Sequence, residues 1–186
     1  AETRMTDIVC GITAEERGLA DADLPDIEAA QAIVMDPNGT VYFERDADTQ
    51  TKIASITKVM TAIVALENAD LSTTITVDHA AATVGESTAH LQEGDTLTLE
   101  TALRALLIPS GNDAAMAIAT TVGAIIDPAS TDPYATFIQA MNDKAAELGM
   151  DATFTNPHGL DFGDWVGDMH ASARDVVTMF SYAMKN

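Results

Sequence analysis

Apolar positions along the chain follow two different periods. Residues 32–35 and 40–43 are strand-like runs, and the Asp-Pro-Asn-Gly segment at 36–39 between them is typical of a tight turn. We therefore predict a β-hairpin over residues 30–46. Residues 1–28 are polar and acidic, and we expect the Asp21-Ala22-Asp23-Leu24-Pro25-Asp26 stretch within them to form loop. Two strands alone are marginally stable, so this hairpin needs other elements to cover it.

Residues 55–186 carry the period of helices instead. The first predicted helix, residues 55–68, is apolar nearly all round, which is typical of a helix buried in the middle of a domain. A short strand or extended segment is expected at 73–77. The further predicted helices cover 97–107, 112–122 ending at Gly123, 133–148 ending at Gly149, and a last one that opens with a capping box at Ser172.

Composition restricts the possible partners. The formal charge of −20 comes from 29 acidic and 9 basic side chains, and such a surface repels nucleic acid and anionic lipid headgroups. A heavily solvated surface explains this balance most simply, and adaptation to high salt is the alternative. Cys10 is the single cysteine, so no internal disulfide forms. No apolar run has the length of a transmembrane helix. The start, Ala1-Glu2-Thr3, has no signal-peptide pattern, so we expect either that a leader was removed or that the sequence begins after one.

Ser55 and Lys58 form the first candidate chemical group. Positions i and i+3 share one face of a helix, so the Lys58 amine can reach the Ser55 hydroxyl. Serine needs an adjacent base to act as a nucleophile. The positive end of the helix and burial both disfavour an ammonium group, and both therefore lower the pKa of Lys58 toward that of a usable base. A lone S-x-x-K is most often a solvated helix start, so the pair needs support from elsewhere.

Ser110-Gly111-Asn112 forms the second candidate group. It follows Pro109 and precedes a predicted helix, and taken alone it is a helix cap beside a glycine. In a non-helical turn the Ser110 hydroxyl is available to a cleft. Asn112 offers both an amide donor and a carbonyl acceptor, which suits it to holding a peptide substrate and a lysine together.

Three segments together carry a family resemblance: residues 53–61 (IASITKVMT), 106–115 (LLIPSGNDAA) and 155–161 (TNPHGLD). S-x-x-K, S-x-N and K-T-G are the signature of penicillin-binding proteins and class A β-lactamases. Over nearly its whole length the chain resembles the serine D-alanyl-D-alanine carboxypeptidases, which are low-molecular-mass penicillin-binding proteins. The resemblance implies an α+β fold of the penicillin-binding protein and β-lactamase type, rich in helices. Of its central sheet, we expect only the N-terminal hairpin in this chain.

The resemblance also implies roles for individual residues. Ser55 is the acylated nucleophile and contributes its N–H to the oxyanion hole, while Lys58 accepts the serine proton. Ser110 relays a proton to the departing D-alanine, and Asn112 binds both the substrate amide and the amine of Lys58. The implied partners are a peptidoglycan stem peptide ending in D-Ala-D-Ala and β-lactam antibiotics, with no cofactor and no metal. The implied location is extracytoplasmic, facing the cell wall.

The sequence departs from the family pattern in one respect. None of its lysines begins a Lys-Thr-Gly or Lys-Ser-Gly triplet. In relatives that triplet follows the last helix seen here and supplies a carboxylate anchor and the second oxyanion donor. We therefore expect residues 1–186 to be a partial catalytic domain, either truncated or one piece of a cleaved chain. The missing part would include the remaining strands and any C-terminal membrane anchor.

Other polar residues have simpler interpretations. His158 lies in a loop between proline and glycine and is expected to be structural rather than catalytic. The remaining histidines, His79, His90 and His170, are too scattered for a metal site. Asp161, Asp164 and Asp168 form an acidic loop whose spacing fits no EF-hand. Trp165 in that loop is open to two interpretations, contact with substrate or membrane, or core packing.

Two other functions remain open at this point. A β-lactamase of the same fold would need an acidic residue that activates the deacylating water. The chain has no Glu-x-x-Leu-Asn pattern, and Gly111 stands where those enzymes usually carry Asp. The second alternative is a non-catalytic peptidoglycan-binding relative or an inactive fragment. Because acylation needs the strand that carries K-T-G, we expect this 186-residue form to react weakly with penicillin.

Overall fold

The computed structural model describes residues 4–185, which divide into two compact units. The first consists of Ala1–Thr51 with Ala171–Asn186, as far as these segments are described, and the second is Lys52–His170. Ala1-Glu2-Thr3, on which the expectation of a removed leader depends, lies outside the described residues. Helices and antiparallel strands both occur, which confirms the predicted α+β class.

The first unit contains a four-stranded antiparallel sheet. Its strands are β1 (Ile8–Val9), β2 (Ile12–Thr13), β3 (Ala32–Met35) and β4 (Val41–Arg45), in the spatial order β2-β1-β4-β3. β3 and β4 are the predicted hairpin, with Val34 opposite Phe43. The turn is fixed by Asp36, whose carboxylate accepts hydrogen bonds from the N–H groups of Asn38 and Thr40.

The strands β1 and β2 were not predicted from the sequence. Each is only two residues long, too short to show an alternating pattern. Asp7, just before β1, is 3% exposed, and its carboxylate pairs with the Arg45 guanidinium at 2.7 Å. The unit also contains α6 (Ala173–Ala183), which contacts β3. Ser172 and Asp175 form its predicted capping box.

The second unit consists mainly of helices around α4. Its helices are α1 (Thr57–Asn68), α2 (His79–Thr83), α3 (Leu99–Leu107), α4 (Asn112–Ile126) and α5 (Pro133–Glu147), and β5 (Thr74–Thr76) pairs with β6 (Thr96–Thr98). α4 contacts the other four helices and is buried from Asn112 to Ala119. Its first residue is one of the candidate site residues. No helix among residues 4–185 is long and apolar enough to cross a bilayer.

Two predicted helix starts in this unit are wrong, and one helix was missed. Ser55 lies in a 3₁₀ turn, Ala54–Ile56, and the α-helix begins at Thr57. Leu97 and Thr98 belong to β6, so α3 begins at Leu99 with the Thr98 hydroxyl as its cap. α2 was not predicted, because a five-residue helix shows little periodicity.

Gly123 does not end α4, which continues to Ile126. It permits close packing instead: a Cβ at Gly123 would lie 1.8 Å from the carbonyl oxygen of Pro133, the first residue of α5. A glycine at a helix crossing and a glycine at a helix end look the same in sequence. Gly149, in contrast, follows α5 with φ +72° and ends that helix as predicted.

Candidate active site

Ser55 lies in a strained turn at the start of α1. The preceding residue, Ala54, has φ +46°, which a residue with a side chain rarely adopts. Ser55 itself is exposed. The turn is held from behind by Gly159, whose φ is +93°; a Cβ there would lie 1.9 Å from the Ala54 carbonyl oxygen and 2.9 Å from the Ser55 nitrogen. The backbone around Ser55 is therefore fixed while its hydroxyl stays accessible.

Lys58 is 2% exposed, although it carries an amine. Its Nζ lies 3.0 Å from Ser55 Oγ, 2.8 Å from Asn112 Oδ1 and 2.8 Å from the carbonyl oxygen of His158. Burial lowers the pKa of Lys58 to about 8, against the opposing effect of the Asp113 carboxylate. The amine is therefore much closer to neutrality at physiological pH than an exposed lysine.

These three contacts fix the proton arrangement of the neutral amine. A neutral amine has two hydrogens and one lone pair. Asn112 Oδ1 and the His158 carbonyl oxygen can only accept, so they take the two hydrogens. The lone pair is left for the Ser55 hydroxyl, at 3.0 Å, which is within the range required of a general base.

Asn112 is the first residue of α4 and is 2% exposed. Its Nδ2 donates to the carbonyl oxygen of Gly85 at 3.0 Å, and its backbone N–H donates to that of Ser87 at 2.8 Å. The contact with the Gly85 carbonyl oxygen determines the orientation of the Asn112 side-chain amide, because only the amide nitrogen can donate a hydrogen bond. Oδ1 therefore faces Lys58.

Ser110 is held two residues before Asn112, with φ +60° and half-buried. Asn112 contacts Lys58 directly. Ser110 is near the site because it precedes Asn112 by two residues in the chain. Among residues 4–185, no hydrogen bond joins the Ser110 hydroxyl to Ser55 or Lys58. Its role in proton relay stays a prediction.

The loop over residues 155–160, here called the site loop, is fixed by its own side chains. Asn156 Oδ1 accepts hydrogen bonds from the N–H groups of His158 and Gly159, and Asn156 Nδ2 donates to the Leu160 carbonyl oxygen. The Pro157 carbonyl oxygen accepts a 2.6 Å hydrogen bond from Thr61 on α1. These contacts hold the His158 carbonyl oxygen over Lys58. That contact was not predicted, because a backbone acceptor has no signature in the side-chain sequence.

The His158 imidazole is buried and neutral. Its Nδ1 accepts a hydrogen bond from the Leu160 N–H, which assigns the remaining proton to Nε2. Burial, with a smaller effect from the charge of Lys58, lowers the pKa of His158 to about 3. The ring packs edge-to-face against Trp165, with the centroids 4.5 Å apart. Trp165, half-buried, therefore contacts the site loop.

The other polar candidates are separate from this site. His79 pairs with Glu93 and His170 with Asp168, while Asp161 pairs with Lys52. Within the described part of the chain, no group of three or more histidine, cysteine, aspartate or glutamate side chains is arranged to hold a metal ion.

Comparison with known proteins identifies a family. The family model described as D-alanyl-D-alanine carboxypeptidase matches residues 19–186. A D-alanyl-D-alanine carboxypeptidase of Mycobacterium tuberculosis is 34% identical over 177 residues, covering 90% of this chain and 57% of the relative. One from Bacillus subtilis is 31% identical over 140 residues, covering 72% of this chain and 34% of the relative. The chain thus spans between about a third and three fifths of these relatives.

Solved structures agree with this match. The DD-transpeptidase of a Streptomyces strain is 34% identical, with a TM-score of 0.78 over 87% of this chain and 63% of that one. The D-alanyl-D-alanine carboxypeptidase of Francisella tularensis is 28% identical, with a TM-score of 0.76 over 87% of this chain and 38% of that one. The predicted penicillin-binding protein type of fold is thereby confirmed.

Proposed function

Because this chain belongs to the D-alanyl-D-alanine carboxypeptidase family, we propose that it carries the acylation machinery of a serine carboxypeptidase acting on peptidoglycan. The substrate is a stem peptide that ends in D-Ala-D-Ala, and the reaction removes the terminal D-alanine. The observation that carries the proposal is the position of Lys58 Nζ, held by two fixed acceptors and 3.0 Å from Ser55 Oγ.

In the proposed reaction, Lys58 takes the proton from the Ser55 hydroxyl as Oγ attacks the carbonyl carbon between the two D-alanines. The C–N bond then breaks, and the departing D-alanine amine receives a proton through Ser110. The product is an ester on Ser55, which water hydrolyses to free the shortened peptide. Dividing one acyl transfer into two steps in this way is ordinary nucleophilic catalysis.

Charge that develops on the carbonyl oxygen needs donors in place before the reaction. The Ser55 backbone N–H is the proposed donor from this chain, and the strained turn behind it keeps that group fixed. Asn112 is proposed to hold the substrate amide as well as Lys58. The second donor and the carboxylate anchor of the family lie on the strand carrying K-T-G, which these 186 residues do not include.

The proposal extends to inhibitors and location. β-Lactams imitate the D-Ala-D-Ala terminus and would be trapped as an ester on Ser55. A peptidoglycan substrate would place the working protein outside the cytoplasmic membrane. With a formal charge of −20, the chain is not expected to bind nucleic acid.

Covalent labelling by a fluorescent penicillin tests the proposal. Four forms are compared at pH 8: the wild-type chain, Ser55→Ala, Lys58→Ala and the control Ser72→Ala, which changes an exposed serine elsewhere in the same unit. The wild type and the control should label slowly and equally, and Ser55→Ala should not label. Lys58→Ala should label about 100-fold to 10,000-fold more slowly, the range expected when a general base is lost.

Three results would overturn the proposal. Labelling that persists in Ser55→Ala would place the nucleophile elsewhere. Rapid and sustained hydrolysis of nitrocefin by the wild type would identify a β-lactamase instead. Failure of the wild-type chain to label at any pH would favour an inert relative.

A further inference from the structure

Asp113 is a buried carboxylate beside the site. It is 2% exposed and lies in the first turn of α4, next to Asn112. Its Oδ2 accepts hydrogen bonds from the Thr88 hydroxyl at 2.6 Å and from the N–H groups of Ala89 and Leu91, both at 3.0 Å. Its Oδ1 accepts from the N–H of Ala114 at 2.9 Å. Burial alone would raise the pKa of Asp113, but these hydrogen bonds outweigh that effect and lower it, so the group is ionised.

Apart from Ala114, the residues that donate to Asp113 belong to one segment, residues 85–91, here called the clamp loop. The same loop supplies both backbone partners of Asn112, the carbonyl oxygens of Gly85 and Ser87. Two adjacent residues of α4 therefore hold one loop by opposite chemistry. Asp113 accepts hydrogen bonds from backbone N–H groups of the clamp loop, and Asn112 donates hydrogen bonds to backbone carbonyl oxygens of the same loop.

Gly111 is required by this arrangement. A Cβ at Gly111 would lie 2.6 Å from Asp113 Oδ1, 2.8 Å from the Ala105 carbonyl oxygen and 3.2 Å from the Ala89 side chain. The Asp113 carboxylate thus folds back over position 111, and a side chain there would push it off the clamp loop. The glycine between Ser110 and Asn112 is explained by the carboxylate that follows it.

We propose that Asp113 is a positioning residue of the active site, which fixes the clamp loop so that Gly85 orients the Asn112 amide toward Lys58. The chain of contacts is continuous. Asp113 holds the loop, the Gly85 carbonyl oxygen accepts a hydrogen bond from Asn112 Nδ2, and Asn112 Oδ1 accepts a hydrogen bond from Lys58 Nζ. This inference rests on the proposed function only in its purpose, because the contacts themselves are independent of any reaction.

The charge of Asp113 gives the proposal a distinctive signature. Two titratable groups lie near Lys58: Asp113 on α4, whose charge raises the pKa of Lys58, and His158 in the site loop, which is neutral. Ser55 contributes only a hydroxyl, and Asn112 only an amide oxygen. The Asp113 carboxylate therefore favours the ammonium form of Lys58, and removing this charge should make the amine easier to deprotonate.

The experiment uses proton-detected NMR of the wild-type chain and three variants. The chain has only four lysines, so the Lys58 side-chain signal can be followed through a pH titration. Asp113→Asn removes the charge and part of the clamp, and Thr88→Val removes one hydrogen bond but keeps the charge. Asp132→Asn is the control: it removes one charge from the cap of α5, where asparagine caps equally well. Amide hydrogen exchange at Ala89 and Leu91 reports the clamp itself.

In Asp113→Asn, the Lys58 midpoint should move to lower pH, with roughly a threefold to tenfold loss of proton affinity. Exchange at Ala89 and Leu91 should become about tenfold faster or more, the effect of losing one charge-assisted hydrogen bond. Thr88→Val should raise exchange without lowering the midpoint. Asp132→Asn should change neither quantity.

A folded Asp113→Asn chain with an unchanged midpoint and unchanged exchange would overturn the proposal. If Asp113→Asn does not fold, Thr88→Val provides the test. Unchanged hydrogen exchange at Ala89 and Leu91 in Thr88→Val would also overturn the proposal. Neither measurement needs a substrate. A wild type that never reacts with penicillin but shows these shifts would refute the proposed function alone; labelling without the shifts would refute the positioning role alone.

Discussion

Replacing Gly159 with alanine tests whether the site loop holds the Ser55 turn. Gly159 has φ +93°, and a Cβ there would lie 1.9 Å from the Ala54 carbonyl oxygen and 2.3 Å from its carbon. Both neighbours are backbone atoms, so relief requires the loop and the turn to move apart. Such a movement would also change the distance between Lys58 Nζ and the His158 carbonyl oxygen, which is now 2.8 Å.

The magnitude follows from two separate costs. A left-handed backbone costs a residue with a Cβ about 1–2 kcal/mol, and a steric overlap that forces a backbone shift costs about 1–3 kcal/mol more. Gly149→Ala is the matched control, because Gly149 has φ +72° but nothing within 4 Å of its Cβ position. It should show the first cost alone.

Urea denaturation followed by circular dichroism measures both variants, and penicillin labelling reports the state of Ser55. Gly159→Ala should lose about 2–5 kcal/mol in the free energy of unfolding and should label more slowly than Gly149→Ala at equal folded fraction. Equal stability and equal labelling in the two variants would refute the contact between the site loop and the Ser55 turn.

The remaining predictions concern packing, pH and salt. Gly123→Ala should lower the free energy of unfolding in urea by about 1–3 kcal/mol, because the added Cβ would overlap Pro133. In an exposed helix the same change stabilises by up to about 1 kcal/mol, and such a gain here would contradict the packing of Gly123 against Pro133. The unfolded chain protonates His158 near its ordinary pKa of 6.5, whereas the folded chain does so only near 3, so stability should fall below about pH 6.5. The slope from this residue approaches about 1.4 kcal/mol per pH unit, and His158→Gln should flatten the profile. With a net charge of −20, the chain should melt several degrees higher in about 1 M NaCl than in dilute buffer, since salt screens its self-repulsion; a Tm independent of salt would contradict this.

Local patterns of several residues were enough to predict much of the fold. The hairpin has a strong turn segment, and the start of α6 has a capping box, so both were identified in sequence. β1 and β2 were missed, because a two-residue strand exists only through its partners. The role of Gly123 was wrong because it depends on Pro133, a residue of another helix.

In the candidate site, too, local patterns were predicted and contacts with distant residues were not predicted from the pattern alone. The spacing of Ser55 and Lys58 predicts their contact, and the structure gives a 3.0 Å distance. The approach of Asn112 to Lys58 came from the family resemblance, since 54 residues separate the two in sequence. The third partner of Lys58 is a backbone carbonyl, and the clamp on Asn112 consists largely of backbone groups. Groups that every residue possesses leave no trace in a pattern of side chains.

The rate of Ser55 acylation as a function of pH tests the central claim most directly. The wild-type chain is incubated with a β-lactam between pH 5 and pH 10, and mass spectrometry of the peptide that contains Ser55 gives the rate of adduct formation. If Lys58 is the base, the rate should rise with pH and reach half its maximum near pH 8, where the buried amine loses its proton. A midpoint near 6.5, the ordinary pKa of a histidine, or an adduct on any other residue would contradict the account.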